Sequence, residues 1–427
     1  MIADVLVVGA GSAGCVVAER LSRNADRRVV VLEAGPEVTG GDVHRLDRML
    51  LGSVAAPSRY ARWYRADPPV VRGRAVGGSS VVNGGYFLRA HRDDFAEWGG
   101  PFTMDAITAA YDELDGGVPG GAPAGRMSVG PVRDDEVGPL VRRLEERWAA
   151  APPGPWPGVG IQRVPVNRCD GQRWSAADAY LAPAGDRPNL TVRADCSVSR
   201  LVVESGRVVG VVLSGGEQVR AGEVVVCAGG LGSAALLMRS GVVDGSLPAF
   251  EHREILVRYA PAVRPEPAPV LLPSVAHTAD GSEIRWYADD FARFIPGLAS
   301  STAVVGVAQM HPPRPGELRW DGERLDVEPA GMRVDEVSAA VAEVVEALSS
   351  AELADVVVDG SVAVDPAVGT SQHGWGAMAM GERTDWFGAV DGVAGLRIVD
   401  GSILPNVSSG PHATVMMVAI VIADALS

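Results

Sequence analysis

The stretch Gly9-Ala10-Gly11-Ser12-Ala13-Gly14 constrains the fold more than any other part of this chain. It follows an apolar run, Asp4 to Val8, that reads as a buried strand, and it opens a helical stretch, Ala13 to Leu21. A second strand, Arg28 to Leu32, ends on Glu33. Strand, glycine turn, helix and a second strand closed by an acid make up the dinucleotide-binding βαβ unit. Gly9 makes the tight turn, Gly11 lets the backbone approach a pyrophosphate, and Gly14 lets helix and strand pack closely. Ser12 and Ala13 belong to the helix N-terminus on which phosphates sit, and Glu33, followed by Ala34, takes a ribose hydroxyl.

The chain has 427 residues, enough for two or three domains or one large domain with an insertion. Its formal charge of −15 argues against nucleic acid and against an anionic membrane surface as electrostatic partners. Four cysteines, Cys15, Cys169, Cys196 and Cys227, form no CxxC pair. Neither a disulfide framework nor a metal site is expected, and a reducing compartment fits. The first residues read as a strand with no basic leader, so no signal peptide is expected. No apolar run reaches membrane-spanning length, and Ala413 to Leu426 reads as a core helix. The expected location is cytoplasmic, with peripheral membrane attachment left open.

Residues 35–70 read as an irregular excursion with Trp63 and Tyr64 near its end. Residues 101–166 are rich in Pro and Gly between short helical patches such as Glu136 to Ala150, as in a cap. Leu190 to Ala194, Arg200 to Glu204, Arg207 to Leu213 and Gln218 to Ala221 read as a meander. Glu223 to Ala228 reads as a separate buried strand, followed by a Gly229-Gly230 turn and a helix, Ser233 to Arg239. Residues 246–360 read as a separate unit, with strands Ile284 to Ala288 and Thr302 to Met310. Its amphipathic helix carries Val337, Val341, Val344, Val345 and Leu348 at helical spacing.

A second glycine segment runs from Gly73 to Gly84, with Val76, Gly78, Ser79 and Asn83. Its small residues let backbone N–H groups face a planar or anionic ligand. Of seven histidines, His44, His91, His252 and His277 sit in charged or irregular sequence and read as surface residues, and His311 as structural. His373, in Ser371-Gln372-His373-Gly374-Trp375-Gly376, and His412, in Ser408-Ser409-Gly410-Pro411-His412-Ala413-Thr414, lie in glycine-rich loops, the second just before a helix. Histidine is the side chain best poised for proton transfer near neutral pH, so both are candidate catalytic residues.

With these landmarks in order, the chain resembles the glucose–methanol–choline (GMC) flavoprotein oxidoreductases almost from end to end. Further landmarks are Asn189-Leu190-Thr191-Val192, Ala228-Gly229 through Gly241, and Leu396-Arg397-Ile398-Val399-Asp400-Gly401-Ser402 through the last helix. The resemblance implies an α/β fold with a Rossmann-like FAD domain and a β-sheet-plus-helices substrate domain. The FAD domain would be discontinuous, 1–100, 167–245 and 361–427, and the substrate domain 101–166 and 246–360. FAD would be bound without a covalent link, since Val82 stands where some members carry a flavin-linking His. Besides the residues of both glycine segments and Glu33, the cofactor residues implied are Trp63, Val198, Ala228, Gly229, Asp400, Gly401, Ala413 and Thr414. His373 would take the hydroxyl proton of an alcohol and His412 would hydrogen-bond the same oxygen. Electrons would go on to a quinone, a respiratory chain or oxygen. An oxidase and a hydroxynitrile-type lyase are alternatives on the same scaffold, and an NAD-dependent enzyme is disfavoured by the second glycine segment. Asn83-Gly84-Gly85-Tyr86-Phe87 and the compact length resemble the mycofactocin-associated branch, which implies reduced mycofactocin as a substrate. Gly374 stands where the family usually has Pro, and Ala377 where it usually has Thr.

Overall fold

The computed structural model describes residues 2–39, 41–117, 122–263, 268–298 and 302–427. Ile2–Val8 is the hub of a seven-stranded sheet. It pairs in parallel with Val29–Leu32 on one side and Gln218–Val226 on the other. Leu190–Arg193 and Leu396–Ile398 extend the parallel part, while Val198–Glu204 and Arg207–Leu213 add an antiparallel edge. Val5–Val8 of the hub strand and Val29–Leu32 are buried at every position, the pattern of a parallel sheet covered on both faces. The helix Ser12–Leu21 packs on the last helix, Pro411–Ala425, which also receives Met104–Asp115. The last helix buries Met416, Met417, Val418, Ala419 and Ile420 in succession. An all-round apolar helix of this length belongs in a protein core. Among the described residues no helix is long and apolar enough to cross a membrane.

Four readings of the sequence are corrected here. Leu190–Arg193 is no part of a meander; it lies parallel to Val29–Leu32. Gln218–Val226 is one strand, not two, pairing antiparallel at its start and parallel at its end. The helix after it begins at Gly229, so Gly229-Gly230 is its first turn and not a loop. The expected helix Glu136 to Ala150 shortens to Pro139–Arg147, starting where proline suits the first helical position.

A second, six-stranded sheet is antiparallel throughout. Its order is Ala363–Thr370, Arg253–Tyr259, Ala303–Gln309, Ser282–Trp286, Ser274–His277 and Gly160–Arg163. One face carries Ile255, Val257, Val305, Val307, Ile284 and Trp286 and packs under the amphipathic helix Val334–Leu348. Alternation then turns Glu254, Glu283 and Arg285 to the other face. Two expected boundaries shift. Ala363–Thr370, assigned to the nucleotide side, is hydrogen-bonded into this sheet. Ser246–Ala249, Gly316–Trp320 and Leu325–Glu328, assigned to the separate unit, form a small sheet whose Leu247, Leu318 and Leu325 join the nucleotide-side core.

Candidate active site

The two glycine segments meet. Gly77 donates its N–H to the Ala10 carbonyl at 2.7 Å. A Cβ on Gly78, whose φ is +57°, would lie 2.6 Å from the Gly11 Cα. Only a glycine at position 78 allows this approach. Around it, Val76 donates to Pro36 O at 3.0 Å and the Ser79 hydroxyl accepts from Gly73 N at 3.0 Å. Gly84 packs toward Met49. The Ser12–Leu21 helix starts on Gly11 with no side-chain cap and no acid in its first turn, so its first N–H groups face the turn uncovered. Glu33 is buried; its oxygens accept from Ala10 N and Gly35 N, each at 2.8 Å. Burial pushes its carboxyl up, and the backbone donors oppose this. The Ala34 carbonyl accepts from Arg74 at 2.6 Å.

Other expected cofactor residues turn out to be tied to protein. Asp400 is buried, and its four lone-pair sites are taken: one oxygen accepts from Gly229 N and Ser233 Oγ, the other from Ser402 N and Ser402 Oγ. It therefore locks the Ala228-capped Gly229–Arg239 helix to the turn at Gly401, and does not reach outward. Thr414 Oγ1 bonds Tyr111 Oη at 2.9 Å, and Ala413 is buried beside it. The Val198 carbonyl accepts from Arg239 at 2.5 Å. Trp63 Nε1 donates to Leu51 O at 3.2 Å, on a hairpin of Ala61–Tyr64 with Val70–Gly73.

His412 lies inside the last helix, not before it, two residues past the Gly410 cap. Its surroundings fix its tautomer. Asn83 Oδ1 accepts from Arg173 at 2.8 Å and from Gly85 N at 3.1 Å, so the other amide atom is the donor. That donor, Nδ2, lies 3.3 Å from His412 Nδ1, which must then accept. Neutral His412 carries its hydrogen on Nε2, an enclosed atom with no hydrogen-bond partner among the described residues. Burial, then the Arg173 charge, lower its pKa to about 4, so the neutral form persists at physiological pH.

His373 reaches the same place from the other side. Its Nε2 is 3.8 Å from where a Cβ on Gly410 would stand. Its backbone N–H donates to Glu251 Oε1 at 2.9 Å, and its backbone carbonyl accepts from Arg72. Gln372, at φ +62°, pins the loop through Val71 N and Pro69 O. Gly374 has φ +76°, a region proline cannot enter, and a Cβ there would sit 2.7 Å from Arg72 Nη2. The departure from the family's proline thus accompanies Arg72 in the loop.

Sequence reasoning missed His252. It is fully buried, against Trp375, with Nδ1 2.6 Å from His373 Nδ1 and Nε2 2.9 Å from the Val407 carbonyl. His277 is buried as well, bonded to Glu283 at 3.0 Å, so both expectations of surface histidines are corrected. The flanking Glu251-His252-Arg253 resembles a solvated triple, and no local pattern marked it. Glu283, Arg285 and Glu254 form a buried network with Tyr86, Tyr287 and Ser371. Burial pushes the Glu283 carboxyl up, but Arg285 and then His277 hold it well below the usual range. Gly306 makes room, since a Cβ there would lie 2.8 Å from Glu254 Oε2. Arg285→Met would strand two buried carboxylates, with an expected loss of about 3–5 kcal/mol. Urea unfolding would show it as a lower midpoint at unchanged slope, and an unmoved midpoint would mean the network carries no such charge balance.

The N-terminal model of the GMC oxidoreductases matches residues 3–131 and 157–248, and the C-terminal model residues 315–419. A GMC-type oxidoreductase from the thcA 5' region of Rhodococcus erythropolis is 33% identical, over 98% of this chain and 97% of that protein. An oxygen-dependent choline dehydrogenase of Rhizobium rhizogenes is also 33% identical, over 57% of this chain and 49% of that protein. The crystal structure of pyridoxine 4-oxidase from Mesorbium loti superposes with a TM-score of 0.86 at 24% identity, covering 99% of each chain.

Proposed function

Because this chain belongs to the GMC oxidoreductase family, we propose that it binds FAD non-covalently and oxidises an alcohol CH–OH group. One observation carries the reading. A buried His412 Nε2–H has no partner among the described residues, and it belongs to the first turn of the helix capped by Gly410, where a Cβ would stand 3.8 Å from His373 Nε2. Left unpaired, such a donor costs about 1–3 kcal/mol, and the oxygen of a bound ligand or of water would satisfy it.

The residues present fit the cofactor. The Gly11–Gly78 approach, the uncapped Ser12 helix start and Glu33 suit the adenosine and pyrophosphate. Val198, Trp63, Ala34, Val76, Ser79 and Gly84 lie on the segments flanking that cradle, and we assign them to it. Asp400, Ala228, Gly229, Gly401, Ala413 and Thr414 we assign to shaping the flavin end, with Asp400 acting through the loops it ties. In this division, residues 1–100, 167–245 and most of 361–427 hold the cofactor. Of residues 101–166 and 246–360, we assign the six-stranded antiparallel sheet and its covering helix, with Ala363–Thr370, to the substrate, while Met104–Asp115 and the small three-stranded sheet pack with the cofactor side.

When bound, FAD supplies the acceptor for the carbon-bound hydrogen and its electron pair. The chain supplies the rest. His373 takes the hydroxyl proton, and His412 Nε2–H donates to the oxygen that is losing it. The substrate is a small alcohol. The mycofactocin-like segment Asn83 to Phe87 makes reduced mycofactocin the first natural donor to try, with a quinone, a respiratory chain or oxygen as final acceptor. Relatives named as an acceptor-linked alcohol dehydrogenase and as a choline dehydrogenase support the alcohol class.

The test is anaerobic. The FAD-loaded protein is mixed with candidate alcohols and with reduced mycofactocin, and the flavin band is followed. Bleaching by one of them supports the reading, and a band that none of them changes opposes it. The pH dependence is specific. Burial first, then His252 and Arg285, hold His373 well below the ordinary 6.5, with Arg72 adding to this and Glu283 opposing. A base must be neutral, so the bleaching rate is lost as pH falls through the lowered pKa. It should stay level down past 6.5 and fall only below. A half-loss at or above that value would exclude His373 as the titrating base.

A further inference from the structure

We propose that His252 sets the tautomer of His373, holding its hydrogen on Nδ1 and leaving a bare lone pair on Nε2. The direction of each hydrogen bond fixes this arrangement. The Val407 carbonyl can only accept, so His252 Nε2, 2.9 Å away, carries a hydrogen. A neutral imidazole has one N–H, which leaves His252 Nδ1 as an acceptor. The 2.6 Å contact to His373 Nδ1 then needs a donor, and only His373 can supply it. Neutral His373 is therefore protonated at Nδ1 and bare at Nε2, the atom nearest Gly410. Burial and the Arg285 charge lower the His252 pKa to about 3, so His252 stays neutral at physiological pH.

The arrangement is complementary to the other histidine. Asn83 makes His412 a donor at Nε2, whereas His252 makes His373 an acceptor at Nε2. One oxygen of a bound alcohol needs both kinds of partner: an acceptor for its proton and a donor for the charge it gains. His252 touches neither substrate nor cofactor in this scheme and is a positioning residue. Its ring is held rigidly, fully buried with Trp375 at a centroid distance of 4.3 Å and bonded at both nitrogens. The orientation of His373 is thus inherited from the Val407 main chain. The consequence for catalysis rests on the proposed alcohol oxidation, but the tautomer does not.

The two are tested separately in the FAD-loaded, full-length protein. Imidazole nitrogen NMR of histidine-labelled protein, with the His373 signals assigned by their loss in His373→Gln, reads the tautomer directly in slightly alkaline buffer. A protonated Nδ1 and bare Nε2 support the proposal. A hydrogen on Nε2 of His373 overturns it, whatever the activity. His252→Phe keeps a ring against Trp375 and removes both hydrogen bonds. It should shift hydrogen toward Nε2 of His373 and slow flavin reduction by 10²-fold or more, up to about the 10⁴-fold loss that follows when a catalytic imidazole is left in the wrong tautomer. KM should change little. His252→Asn, which returns an acceptor near Nδ1, should recover much of the loss. Equal rates and an unchanged tautomer in His252→Phe would also overturn the proposal. A correct tautomer in a protein that no alcohol reduces would uphold the dyad and refute the proposed reaction instead.

Discussion

His373→Ala should give a folded protein that keeps its FAD and whose flavin alcohol no longer bleaches at a measurable rate. Removing the base forfeits the proton transfer, typically 10²- to 10⁴-fold. The substitution also leaves the buried His252 Nδ1 without its donor, at a cost of about 1–3 kcal/mol. That cost falls on the loop near Gly410, not on the cofactor cradle. The Gly77–Ala10 bond, the Gly11–Gly78 contact and the Glu33 hydrogen bonds involve nothing from residues 371–376. FAD content, measured from the visible spectrum of the purified variant, should therefore match that of the parent. Normal bleaching would remove His373 from the reaction. Loss of FAD together with activity would show that the loop holds the cofactor, and would turn a catalytic assignment into a structural one.

What was legible in the sequence was local. The glycine turn, the helix it opens and Glu33 are specified within the first turns of chain, so their roles in the fold follow from spacing. The amphipathic helix is similar: Val337, Val344 and Leu348 recur at helical spacing and are buried at Val334–Leu348. Periodicity states which face is buried but not against what. For that reason Leu190 to Ala194 reads as part of a meander and residues 361–427 read as one nucleotide-side segment, whereas Leu190–Arg193 and Ala363–Thr370 each pair with a strand more than a hundred residues away. His252 was hidden for a chemical reason. Glu251, His252 and Arg253 read as surface because charge usually is, yet each is buried with a partner. Glu251 accepts from His373 N, His252 from His373 Nδ1, and Arg253 donates to the Val368 carbonyl. Their partners lie about 120 residues downstream, on the strand Ala363–Thr370 and the loop after it, which no window on the sequence contains. Asp400 is the converse case. Its place in a family landmark was legible, but its role was not, because only the structure shows its oxygens fully engaged.

Gly11→Ala and Gly14→Ala should fail in opposite ways, and the contrast is the sharpest test of the cofactor assignment. At Gly14 a Cβ would lie 2.0 Å from the Gly9 carbonyl oxygen and 3.2 Å from the Cys227 side chain. The Ser12–Leu21 helix would have to lift off the Ile2–Val8 strand, an overpacking worth about 1–3 kcal/mol. Urea unfolding of the apoprotein should show this as a lower midpoint. At Gly11 φ is −77°, open to any residue, and a Cβ would meet its nearest neighbour, the Gly78 Cα, at 3.9 Å. That is ordinary contact, so the apoprotein should keep its stability within about 0.5 kcal/mol. The added methyl group instead stands on the turn where a pyrophosphate must come against the backbone. FAD affinity, followed by flavin fluorescence on titration, should fall roughly tenfold or more, a loss of about 1.4 kcal/mol or above. If Gly11→Ala binds FAD as the parent does, the pyrophosphate does not rest on this turn. If Gly14→Ala is as stable as the parent, the helix is not held to the strand by the absent side chain. Weak binding by a stable Gly11→Ala apoprotein would tie the first glycine turn to the cofactor through chemistry and not through folding.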